Sequence, residues 1–201
     1  MIIFLRCWTT LGFLAISTTH GLAEKLSLDK LSVYLNSILS AETTFSQIND
    51  DGSISTGKLF IRRPGRLRFE YDPPNQALVI ASGGRLAIFD VKGNPNPEIW
   101  PLNRTPLSLI LQKTIDLETS PMVSSHVSKS TATIVRAQDP KNPDRGSVDL
   151  MFVGPEPALR QWTIRDSSGG STTIILGDIA TSNKLSSSLF DIQRTIERRQ
   201  N

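Results

Sequence analysis

The sequence predicts an α+β fold in which one amphipathic helix is followed by an antiparallel sheet. Three observations predict it. Apolar residues recur at helical spacing near the start of the chain, at Leu28, Leu31, Leu35, Ile38 and Leu39. From Thr43 the period falls to two, and short β-like runs follow one another too closely for βαβ crossovers. A small, very apolar helical stretch, Thr105 to Leu111, is embedded between strands.

The first 23 residues are expected to lie outside this fold. Arg6 supplies a basic start, Trp8 to Ile16 an apolar run, and Gly21-Leu22-Ala23 a small-x-small cleavage site. That is the pattern of a secretory signal peptide removed before Glu24. The apolar run is shorter than the roughly 20 residues a membrane span needs. The one cysteine, Cys7, lies inside this segment, so the mature chain holds no disulfide, thiol nucleophile or thiolate metal site. Residues 24–201 are expected to form a single soluble, exported domain. It keeps 21 Lys and Arg against 19 acids, too weak and scattered a charge for nucleic acid.

Ser27 to Glu42 reads as the helix, with Ser27 as N-cap and Asp29 in the first turn, where an acid is favoured. Phe45, Gln47 and Asn49 then alternate with Thr44, Ser46 and Ile48 up to the Asp50-Asp51-Gly52 turn. The stretch that organises the rest is GKLFIRRPGRLRFEY, Gly57 to Tyr71, in which two β-like runs flank Pro64-Gly65. Leu59, Ile61 and Arg63 share one face; Leu67, Phe69 and Tyr71 share another, with Arg66, Arg68 and Glu70 pointing away. A two-residue loop would set Ile61 against Arg68, mixing apolar with charged. One more loop residue sets Arg63 against Leu67, Ile61 against Phe69 and Leu59 against Tyr71, which is the register the buried face prefers. Arg63 then stands at the rim of an apolar face, either snorkelling to water or latching something over that face.

Further strands are expected over Gln76 to Ser82 and Arg85 to Val91, joined by Gly83-Gly84. Lys92 to Pro106, with prolines at 95, 97, 101 and 106, is a break. In the helix that follows, Thr105 is the expected N-cap and Pro106 the first residue. Leu107, Ile110 and Leu111 share a face, as a connection packed on the core or a lid over an apolar cavity. Strands return at Thr131 to Gln138, Gly146 to Val153, Leu159 to Asp166 and Ser171 to Ile179. The tail from Ser182 docks as a short helix or extended segment, and Glu197 to Asn201 fray.

Catalytic chemistry is thin. The mature chain has one histidine, His126, in a serine-rich segment where solvation is expected, and no nucleophile-elbow, phosphate-loop, zinc or calcium pattern. The carboxylates are spread out. No enzyme, metal or cofactor is expected; apolar surface beside an arginine is what the chain offers.

Phe45-Ser46-Gln47, Gly57 with the strand ending Arg63-Pro64, Phe69, Tyr71, Gly83-Gly84, Phe89-Asp90, Pro101-Leu102 and Thr105-Pro106-Leu107 stand in an order that resembles the periplasmic lipoprotein carrier family LolA. The resemblance covers nearly the whole mature chain. It implies a curved antiparallel sheet forming an incomplete β-barrel with an α-helical lid. It implies a periplasmic monomer that accepts acyl chains of lipoproteins from an inner-membrane ABC transporter and passes them to an outer-membrane receptor. Leu59, Ile61, Leu67, Phe69, Tyr71, Leu31, Leu35 and Ile38 are the expected cavity residues. Arg63 would be the lid latch, and Leu107, Ile110 and Leu111 the lid helix. Leu67 stands where an aromatic is also found in the family. Two rival readings share the fold: the receptor LolB, itself a lipoprotein and so disfavoured by the cleavage site's lack of a cysteine, and a periplasmic module that senses lipids or protein termini.

Overall fold

The computed structural model describes residues 25–90, 96–182 and 184–200; the expected signal peptide lies outside them. Helix α1 spans Leu28–Ser37, and the Ser27 hydroxyl caps it by accepting the Lys30 N–H. It ends five residues earlier than its apolar spacing suggests, leaving Leu39 60% exposed. The reason is competition: Ser40 already pairs with Arg62 in the sheet, and a residue cannot serve both ladders.

The strands are β1 (Ser40–Ile48), β2 (Ile54–Arg62), β3 (Arg66–Tyr71), β4 (Leu78–Ser82), β5 (Arg85–Phe89) and β6 (Glu98–Pro101). After a long connection come β7 (Val123–Lys129), β8 (Ala132–Gln138), β9 (Ser147–Val153), β10 (Ala158–Arg165), β11 (Ser171–Leu176) and the two-residue β12 (Ala180–Thr181). Every pairing among them is antiparallel, in the order β6-β5-β4-β3-β2-β1-β11-β10-β9-β8-β7, with β12 added beside β1. The sheet is open, because β6 and β7 do not meet. It is also strongly curved. The rings of Phe69 on β3 and Trp162 on β10 stand 6.3 Å apart although three strands lie between theirs. Four strand spacings in a flat sheet would hold them about 19 Å apart. The fold is an incomplete antiparallel barrel.

Two apolar clusters follow from the curvature. The inner face gathers Phe45, Leu59, Leu67, Leu150, Phe152 and Trp162, among others, with Leu31 and Leu35 of α1. On the outer face of β4 and β5, Leu78, Ile80, Ala87 and Phe89 are covered by Ile192 and Ile196 of helix α2 (Ile192–Gln200). The tail expected to fray is therefore helical through Gln200, because this outer patch gives α2 a surface to bury.

Three other expectations are corrected. The central hairpin pairs Ile61 with Leu67, Leu59 with Phe69 and Gly57 with Tyr71, two residues away from the expected register. The apolar faces still match, but Arg63, Pro64 and Gly65 form the loop, with a cis Arg63-Pro64 bond. Arg63 is thus not opposite Leu67. The lid is not a regular helix: 3-10 turns at Leu102–Arg104 and Pro106–Ser108 lead into irregular turns through 114. The Thr105 hydroxyl donates to the Leu102 carbonyl instead of capping a helix. The proline-rich break contains β6, where Pro101 is tolerated because an edge strand need not donate on its open side.

Candidate functional site

The opening of the half-barrel is roofed by α1 and the segment 102–117, and a set of polar contacts joins the two. α1 ends with carbonyls that have no partner within the helix. Arg63, in the β2–β3 loop, supplies one. Its Nη1 donates to the carbonyls of Leu35 and, at 3.5 Å, Ile38. Its Nε reaches the Gln112 carbonyl at 2.8 Å, and its Nη2 reaches the Lys113 carbonyl at 3.3 Å and Asn36 Oδ1 at 3.0 Å. One guanidinium therefore ties the helix end to the roof segment, and its position also suits the negative end of the helix dipole. The residue is 8% exposed, and burial lowers its pKa from the ordinary arginine value. The loop backbone adds two ties, Arg63 N–H to the Leu39 carbonyl at 2.7 Å and Gly65 N–H to the Leu111 carbonyl at 2.8 Å.

Two residues that the sequence reading missed extend this ladder. Asn36 donates to the Ile115 carbonyl at 2.7 Å, while its Oδ1 accepts the Ile115 N–H at 2.9 Å. Ser32 accepts the Leu117 N–H at 2.9 Å and donates to the Leu28 carbonyl at 2.7 Å. Ser32 and Asn36 are four apart, so they stand one above the other on a single helix face. Each follows a leucine of the apolar stripe, Leu31 and Leu35. That adjacency was the available signal.

Beneath the roof the interior is apolar. Leu31, Leu35, Leu59, Ile61, Leu67, Phe69, Leu107, Ile110 and Leu111 belong to one buried cluster, against which the half-buried Tyr71 packs. Ile38 is buried as well, at the helix end, but is not among the residues of that cluster. The roof also buries Leu109, which extends the surface of the expected lid helix, and adds Leu102, Ile115 and Leu117, which that expectation did not include. Phe45 stands edge-on to both Phe69 and Tyr71, with centroids 5.0 and 5.1 Å away. Gly57 makes room for it: a Cβ there would lie 2.8 Å from the Phe45 ring and 2.0 Å from the Glu70 carbonyl oxygen. Burial pushes the Tyr71 hydroxyl up to about 12, and it donates to Gln47 Oε1 at 2.6 Å.

His126 is half-buried on β7, with a ring nitrogen 2.9 Å from the Leu26 carbonyl, which corrects the solvated placement expected for it. It helps fix the chain entering α1, as does Thr133, whose hydroxyl accepts the Leu26 N–H. Among the described residues no group of three or more His, Cys, Asp or Glu is placed to hold a metal, and no helix is long and apolar enough to cross a membrane.

The family model of the outer membrane lipoprotein carrier protein LolA matches residues 36–193. An outer-membrane lipoprotein carrier protein of Coxiella burnetii is 25% identical over 180 residues, which is 85% of this chain and 84% of that protein. The carrier protein of Legionella pneumophila is 34% identical over 77 residues, 36% of this chain, and the match spans 38% of that relative's length. Among solved structures, a LolA superfamily protein from Nitrosomonas europaea superposes with a TM-score of 0.46 at 8% identity, over 84% of this chain and 99% of that one. With a family model matched over most of its length, the chain belongs to the LolA family of outer membrane lipoprotein carrier proteins.

Proposed function

We propose that this protein is a periplasmic chaperone that shelters the acyl chains of lipoproteins leaving the inner membrane and delivers them to an outer-membrane receptor. The observation that carries this reading is the attachment of the roof. An apolar interior is closed by segments held through Arg63 to main-chain carbonyls, a joint that can break and re-form without covalent chemistry. Leu59, Ile61, Leu67, Phe69, Tyr71, Leu31, Leu35 and Ile38 line the space the chains enter. Arg63 latches it, and Leu107, Ile110 and Leu111 move with the roof. The protein acts as a carrier, without cofactor, nucleic acid or reaction of its own, as a monomer of one domain over residues 24–201 exported by a cleaved signal peptide.

The energetics suit such a cycle. Each buried methylene contributes about 0.8 kcal/mol, so an acylated protein does not cross water unaided. Roof side chains that leave the interior are replaced there by lipid of similar polarity, which keeps the exchange close to balanced. What must be spent is the polar joint, and a charge-assisted hydrogen bond nets only about 1.5–3 kcal/mol. An inner-membrane ABC transporter supplies the energy of loading, and handover to the receptor runs downhill in affinity.

The test adds purified protein, expressed from the full chain, to spheroplasts holding a radiolabelled triacylated lipoprotein. Label recovered in the supernatant as a one-to-one complex is the expected result. Label that stays in the membrane while the protein still binds free lipid would replace the carrier reading with that of a lipid sensor.

A further inference from the structure

Among the described residues, one buried side-chain nitrogen or oxygen has no hydrogen-bond partner, and it is Trp162 Nε1. The residue sits in the middle of β10, paired with Leu150 of β9 and Ile174 of β11, and is 0% exposed. Its ring stands perpendicular to Phe69, one of the residues proposed to meet the acyl chains. The other buried polar side chains nearby are engaged: Ser32 and Arg63 in the roof ladder, Thr133 with Leu26, Thr163 with Thr173. Buried polar groups in folded proteins are almost always paired, and an indole N–H can only donate. A phenylalanine would supply an apolar ring at the same position, though a smaller one, without an orphaned donor. The donor therefore calls for an acceptor that enters the interior from outside.

An acyl chain offers one kind of acceptor, the carbonyl oxygen where it joins its ester or amide. We propose that Trp162 Nε1–H donates to an acyl carbonyl oxygen of the cargo, so that the interior distinguishes acyl chains from alkyl chains of equal length. The proposal rests on the carrier reading and deepens it. In the closed protein the indole is unpaired; with cargo in place it is satisfied. The roof then closes over a lipid whose carbonyl has been tested, whereas greasy contact alone reads only length and volume.

The experiment measures binding of two synthetic peptides by calorimetry. One carries a diacylglyceryl cysteine with two ester-linked chains, the other the dialkyl ether counterpart with chains of the same length. The parent is expected to prefer the ester by about three- to tenfold, the worth of one neutral hydrogen bond. Trp162→Phe is expected to bind both peptides alike, at the parent's affinity for the ether. An ester preference that survives in Trp162→Phe, or equal binding by the parent, overturns the proposal while leaving the carrier reading intact. Failure of the parent to bind either peptide overturns both. If Trp162→Phe does not fold, the parent decides alone through the indole ¹⁵N–¹H resonance. A downfield proton shift with the ester and none with the ether supports the proposal, and the same response to both refutes it.

Discussion

Two covers lie on opposite faces of the same sheet, one a helix and one largely irregular, and they are attached in different ways. α2 covers the outer face of β4 and β5 with Ile192 and Ile196, and Arg199 stands 5.1 Å over the Phe89 ring. As a regular helix it satisfies most of its backbone groups internally. The inner roof from 102 to 117 is more apolar but largely irregular, so its peptide groups depend on side chains elsewhere: Arg63, Asn36 and Ser32. Loosening α2 therefore forfeits its apolar contact, the Arg199 contact with the Phe89 ring and the Arg199 hydrogen bond to the Asp90 carbonyl, at 3.4 Å, while the helix keeps its own backbone pairing. Loosening the roof also strands main-chain carbonyls, unless the whole segment swings out to water. A cover of the first kind stays put. One of the second kind is poised between two satisfied states, shut against α1 or open to solvent.

The largest expected effect tests that contrast directly. Arg63→Leu leaves the Gln112 and Lys113 carbonyls without this donor and leaves the Leu35 carbonyl with only the Ile38 N–H, at 3.2 Å, and stranding such buried acceptors costs about 3–4 kcal/mol in total. Urea denaturation should show a lower midpoint with a folded baseline retained, and delivery of lipoprotein to outer-membrane receptor should slow or stop. Delivery at the parent's rate would remove Arg63 from the mechanism even if the stability loss is found. Ile192→Ala is the counterpart on the outer cover. Ile192 is 6% exposed, and truncating it should cost about 2–3 kcal/mol. Delivery should be unchanged. A transport defect as deep as that of Arg63→Leu would erase the distinction between the two covers.

Asn36→Ala sharpens the contrast at the next level down, with an expected loss of about 1–2 kcal/mol. Its oxygen accepts from both Arg63 and the Ile115 N–H, so the double variant with Arg63→Leu should lose less than the two single losses added together. Strict additivity in urea melts would show that the two residues hold the roof independently.

Residues 32, 36 and 63 also mark where the sequence stops being legible. The strand faces could be read, because side chains alternate with period two and Leu59, Ile61, Leu67 and Phe69 must share the interior. The register could not. A slip of two keeps every apolar residue on the correct face, and what selects the observed one is the capture of the Arg63 side chain by α1 and the roof, about 30 to 50 residues away in sequence. The roof shows the same limit. Thr-Pro-Leu announces an apolar, helix-starting segment, yet partners on α1 take up the peptide groups that a helix would have paired within itself. On β10 a register shift between Leu159 and Gln161 disturbs the pairing just before Trp162, and periodicity registers such a shift only as noise.

The outer face of β8 to β10 gives the smallest effect and a control for the rest. Where β4 and β5 carry apolar residues under α2, this half of the sheet carries Arg136, Asp149 and Arg165. Asp149 accepts two hydrogen bonds from Arg136, at 2.6 and 2.8 Å, and lies 3.5 Å from Arg165. Partial burial pushes its pKa upward, but the hydrogen bonds and charge of Arg136, together with Arg165, outweigh that and hold it below the ordinary carboxylate range. Stability from this group is fully present above the unfolded pKa, near 3.9, and is lost as pH falls through the lower folded value. Arg136 is substantially exposed, so the contribution is discounted for solvent to about 1 kcal/mol. Asp149→Asn should therefore melt less stably than the parent at pH 7, and the gap should narrow as both are taken from pH 5 toward pH 2. The other carboxylates held low, Asp51, Asp116, Asp139 and Asp166, are common to both proteins and cancel in the difference. A gap that stays constant across that range would mean that the asparagine acts through packing and not charge. Delivery of lipoprotein should not change at any pH where both are folded, because this polar face takes no part in holding the roof.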